Sequence, residues 1–166
     1  MLPKINIIAI MAGIAIAMTA CTNAPDNHAG EINTKASLPD NFNFKNKGLH
    51  VITSSVNKRK NTTAVLYGNA AAQKFARTAV PADSVGVVMT LVTWNQEDDG
   101  RWFGAHIPGD LLCAETVTIT GTPAAPQIKF ELFNGALLTR ETNTDSVNTA
   151  QRIKYILGQK ASIVPQ

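Results

Sequence analysis

The sequence predicts an α+β domain in which an antiparallel sheet carries two helices packed on one face. Short β-branched and aromatic runs recur between residues 49 and 138, punctuated by Gly, Asn, Asp and Pro. Two other stretches, starting at residue 70 and near residue 146, space their apolar residues as helices do. Residues 47–166 have the length of one domain.

The central element is a hairpin over residues 85–108. Residues 85–94 are almost continuously apolar, too short to span a membrane, and read as a strand buried on both faces. Residues 95–100 are polar, and Asp99-Gly100 signals a turn. A second arm follows over residues 101–107. Alternation there places Arg101, Phe103, Ala105 and Ile107 on one side and Trp102, Gly104 and His106 on the other.

Around this hairpin the elements follow in order. Residues 49–56 and 62–67 are strands joined by a loop that holds Lys58-Arg59-Lys60. Asn69 is positioned to cap a helix beginning at Ala70, and Pro81 stops its continuation. Pro108-Gly109-Asp110 is expected to break the second arm, with new strands over residues 111–118 and 127–133 and a short one near Leu137-Leu138. A closing helix is capped by Asp145 or Ser146, carries the stripe Val147, Ala150, Ile153 and Leu157, and ends at Gly158. The expected total is five or six strands and two helices.

The N-terminus indicates export. Lys4 precedes an apolar stretch over residues 5–18, which is shorter than a spanning helix and ends in Thr19-Ala20-Cys21. Met-Thr-Ala-Cys resembles a bacterial lipoprotein signal with Cys21 as the lipidated residue. An ordinary secretory signal and an uncleaved anchor are the alternatives. The expected organisation is a signal over residues 1–20, a lipidated tether over 21–46 and a domain over 47–166, located in the cell envelope. Phe42 and Phe44 are expected against an edge of that domain.

With Cys21 lipidated, Cys113 is the only thiol left, so no intramolecular disulfide forms. Cys113 itself reads as a small hydrophobe on an apolar strand. The formal charge of +3 is small and its one basic cluster sits at a hairpin tip, which argues against nucleic acid as a partner. Glu97, Asp98 and Asp99 read as a solvated turn, without the repeated oxygen ligands of a calcium loop. No phosphate loop, zinc-protease helix or nucleophile elbow occurs.

Trp94, Trp102 and His106 are the candidate ligand-binding residues. Trp102 and His106 flank Gly104 on one side of the arm, leaving room for a flat molecule, and His106 is the candidate metal or axial ligand. His50 is a second candidate, and His28 falls in the tether. Aromatic residues of this kind also fill cores, so a ligand-free structural role remains the alternative.

These residues, in this order, resemble the cytochrome P460 family. The likeness runs through LHVITSSVNKRKNTTAVLYGN, AAAQKFAR and VMTLVTWNQEDDGRWFGAHIPG followed by Ala114-Glu115, with a weaker echo in RIKYILGQKAS. It implies an exported α+β domain related to proteins that hold haem against an antiparallel sheet and oxidise small nitrogen compounds or bind small gases. Family members attach haem through a C-terminal CxxCH, some with an added lysine cross-link. Here no CxxCH occurs, and no lysine lies between Lys74 and Lys129. The expectation is therefore a P460-like fold that binds a small or planar ligand. Its cofactor is unspecified: haem is admitted without covalent attachment, and a noncovalent haem oxidoreductase is the enzymatic alternative.

Overall fold

Chain order among the described residues is β1 (His50–Asn57), β2 (Thr62–Gly68), α1 (Ala70–Arg77), β3 (Val88–Asp98), β4 (His106–Thr122), β5 (Ala125–Asn134), β6 (Thr139–Arg140) and α2 (Ser146–Leu157). The computed structural model describes residues 32–42, 44, 46–78, 84–142 and 145–162. The expected signal, the lipidation site Cys21 and His28 lie outside them. Among the described residues no helix is long and apolar enough to cross a membrane.

The six strands form one antiparallel sheet in sequence order, so every strand pairs with its neighbour in the chain. The α+β architecture is as expected from the alternation of strand and helix periodicities. Lys58, Arg59 and Lys60 sit exposed between β1 and β2. β3 is buried on both faces: Met89 and Leu91 join one apolar cluster, while Val88, Val92 and Trp94 join the other. Strand geometry causes this division, because successive side chains point to opposite faces.

The helices cover the first face. Ala72 and Ala76 of α1 and Ile156 of α2 are buried there against Ile52, Leu66, Met89, Leu91, Val117 and Ile119. Gly68 permits this close approach. A Cβ at that position would come within 2.5 Å of Ile52 Cδ1 and 2.6 Å of Ala72 Cβ. On α2 the buried side centres on Ile153, Ile156 and Leu157, while Val147, expected in the stripe, is 64 % exposed. Only the C-terminal half of α2 therefore reaches the core.

The second face is covered by the segment that precedes β1. Phe42, Phe44 and Leu49 are buried over Val92, Trp94, Leu111, Ala114 and Leu138. Phe42 meets Phe44 and Phe133 edge-on at 5.4 and 5.2 Å, and Phe44 lies 4.4 Å from Tyr67. These phenylalanines cover a face of the sheet rather than an edge. Residues expected within the tether thus belong partly to the core.

Two local expectations are corrected at the central hairpin. β3 runs to Asp98, and the turn occupies residues 99–105, closed by hydrogen bonds from Asp99 N to Ala105 O and from Ala105 N to Trp102 O. Residues 101–104 are therefore not strand. Nor does Pro108-Gly109-Asp110 interrupt β4, which continues for 17 residues. Proline lacks the ladder N–H, and the register slips between Thr93 and Gln96, opposite residues 108–113, absorb the irregularity.

Asn69 ties α1 to the sheet. Its Oδ1 accepts from Ala72 N at 2.9 Å and Val88 N at 3.3 Å, while Nδ2 donates to Gly86 O at 2.8 Å. One side chain thus caps the helix and fixes the entry to β3. Asn69→Ala is expected to destabilise the fold by about 1–3 kcal/mol, measured as a fall in the denaturation midpoint. An unchanged midpoint would mean that solvent replaces these bonds without loss.

Candidate functional site

The structure separates the three residues expected to frame a pocket. Trp94 is buried in the second face, where its indole N–H donates to Ala36 O at 2.9 Å. Trp102 stands 71 % exposed in the β3–β4 turn. His106 opens β4, half-exposed, with Nδ1 3.0 Å from Asp98 Oδ1. His50 is exposed at the start of β1. The displacement of the turn explains the separation, since Trp102 no longer alternates in step with His106.

A different set of side chains lines a cleft of about 410 Å³ on the helix face. Its floor comes from the three central strands: Ala64 of β2, Leu91 and Thr93 of β3, Cys113 and Glu115 of β4. Ser55, Asn57 and Lys60 approach from the β1–β2 hairpin, and Arg152 and Tyr155 from α2. A second, smaller hollow of about 240 Å³ lies on the opposite face, where Phe42, Phe44 and Leu49 meet Thr90 and Thr116. Trp94, Trp102 and His106 line neither.

Glu115 is the chemical centre of the larger cleft. It is 4 % exposed in a strand otherwise dominated by apolar and threonine side chains. Arg152 meets it with both prongs, donating from Nε to Oε1 at 2.7 Å and from Nη2 to Oε2. The bonds it donates to Glu115 hold the Arg152 guanidinium pKa above its usual value, against the opposing effect of burial. Arg152 also lies 4.9 Å from the Tyr155 ring. Because guanidinium has five N–H donors, bidentate pairing leaves three for another acceptor.

Cys113 adjoins this pair as a free, half-buried thiol. Burial pushes its thiol up, with the Glu115 charge adding to the effect; a hydrogen bond from Thr93 and the Arg152 charge oppose it. The group is therefore a neutral thiol at neutral pH. No group of three metal-ligating side chains occurs among the described residues.

Among the described residues no histidine or methionine lines this cleft, and Cys113 and Tyr155 are the lining side chains of a kind that ligates haem iron. The histidines among the described residues, His50 and His106, both face solvent elsewhere. Neither a protein-family model nor a curated protein matches the chain.

The Glu115–Arg152 pair joins residues 37 apart in sequence, and reading the sequence missed it. A signal was present: Glu115 shares its strand face with Val117 and Ile119, so its carboxylate had to be buried and required a cation. Which arginine would answer was not legible from spacing.

The thiol offers a direct check. In a Cys21→Ser chain, alkylation of Cys113 is expected to show a pH midpoint above the ordinary cysteine range near 8.5. The unfolded chain loses this proton first, so the contribution of Cys113 to stability falls as pH rises through that range. A midpoint at or below the ordinary value would show that the site favours thiolate.

Proposed function

We propose that this chain is an exported, lipid-anchored envelope protein of cytochrome P460-like fold that binds a small or planar ligand in the Glu115–Arg152 cleft. The ordered likeness of residues 49–115 to that family supports the fold, and the six-stranded antiparallel sheet with two helices is compatible with it. Residues 4–21 support export and lipidation at Cys21.

One observation carries the binding role: a buried carboxylate pairs with a guanidinium that stays 39 % exposed at an open cleft. Taking the carboxylate out of water costs several kcal/mol, and such a pair is weak support for stability alone. Here the remaining donors of Arg152 are available to an acceptor on the ligand, above a floor of Ala64, Leu91 and Leu132. A flat molecule with a polar edge fits that division of apolar floor and cationic wall. Binding is favoured over turnover because both Glu115 oxygens are engaged and Cys113 is held neutral.

Thermal denaturation of the detergent-solubilised full chain against a panel of small aromatic acids, amides and heterocycles, with haem as a separate arm, tests this role. A ligand present at 100 times its Kd is expected to add about 2.7 kcal/mol of stability. Ala64→Phe, which fills the floor, should abolish the shift. A shift retained in that variant would place binding elsewhere, and a haem Soret band lost on His106→Ala would favour a haem protein instead.

A further inference from the structure

The most exposed aromatic surface of the domain lies at the tip of its longest hairpin. Phe103 is fully exposed and Trp102 is 71 % exposed, side by side in the turn between β3 and β4. Gly104, at φ +78°, lets the turn close beneath them. Neither ring is needed by the core, since both lie outside the two apolar clusters. Solvated turns are ordinarily polar, so two adjacent uncovered rings call for a partner surface.

The entry of the chain into the domain identifies that partner. Asn33, the first residue of the compact unit, donates from Nδ2 to Pro108 O at 2.6 Å. The next turn of chain holds the same arm: Lys35 Nζ lies 3.5 Å from Glu97 Oε1, and Ala36 O accepts the Trp94 indole. Pro108 pairs with Gln96, two residues from the Asp98–His106 pair that ends the ladder. The aromatic tip is thus about 10–15 Å beyond the point where the leader joins the fold. Cys21 precedes Asn33 by 12 residues, a length of chain that reaches at most about 40 Å.

We propose, resting on the lipid anchor proposed above, that Trp102 and Phe103 dock the hairpin tip into the interfacial region of the bilayer that holds Cys21. The occupant is a lipid surface. Aromatic side chains settle at the junction of headgroups and acyl chains, and a domain tethered by a lipidated cysteine is held within reach of that junction. Glu97, Asp98 and Asp99 lie beside Lys35, His106 and Arg101, so the tip carries no basic excess to draw it to anionic lipid, and neutral bilayers are the surface to test. Docking would orient the domain with its β3–β4 turn toward the membrane.

The chain contains only two tryptophans, and Trp94 is buried, so Trp102 reports on its own surroundings. The full chain is reconstituted in phosphatidylcholine–phosphatidylethanolamine vesicles with brominated acyl chains. Cosedimentation reads attachment, and tryptophan quenching reads the tip. The expected result is attachment with quenching and a blue shift of Trp102, both weakened at least twofold by Phe103→Ser and absent in Trp102→Phe. Attachment with an unquenched Trp102 overturns the docking while leaving the anchor intact. If the chain does not sediment, the lipidation fails. Cys21 of a Cys113→Ala chain is then coupled to a maleimide lipid, and quenching in that chain decides the docking in the same way.

Discussion

The Glu115–Arg152 pair is the constraint that gives the helix face its shape. β4 places the carboxylate among apolar neighbours, where it must find a cation, and α2 supplies one from a turn that otherwise only skims the sheet. The pair holds the middle of α2 while Ile153, Ile156 and Leu157 pack its C-terminal half. In the same half of the helix, Arg152 and Tyr155 line the open cleft. The same contact thus fastens the helix and keeps an open space beside it.

Covering the opposite face is the task of residues 33–49. A sheet whose central strands are apolar on both faces needs two covers, and the two helices serve only one. Phe42, Phe44 and Leu49 supply the other, and the Trp94 indole secures the strap by bonding Ala36. Trp94 is therefore occupied by the fold itself. The strap begins at the β3–β4 end of the sheet, where Asn33 donates to Pro108 O.

Much of the sheet was legible because strands read as local patterns. Residues 50–57, 62–68 and 88–94 show their character through β-branched runs, and Asn69 and Asp145 announce their helices by capping chemistry. The central turn was misjudged because Arg101 to Ile107 alternates plausibly as a strand. The Asp99–Ala105 closure that overrides this pattern depends on backbone bonds that side-chain periodicity does not encode. Pro108 was overweighted as a breaker because a bulge across the ladder tolerates it. The strap and the cleft escaped for a different reason: each depends on residues far apart in sequence, such as Ala36 with Trp94 and Glu115 with Arg152.

Replacing the pair as a unit separates its contribution to stability from its contribution to binding. The most direct measurement compares native chain, Arg152→Met and the double substitution Glu115→Leu with Arg152→Met, in chemical denaturation and in binding of whichever ligand stabilises the native chain. Arg152→Met alone should lose about 3–5 kcal/mol, because it strands a buried carboxylate, while the double variant should recover most of that loss. The account predicts that the double variant folds stably and no longer binds. A stable double variant that binds as tightly as the native chain would contradict it, leaving Glu115–Arg152 a packing device with no part in the site.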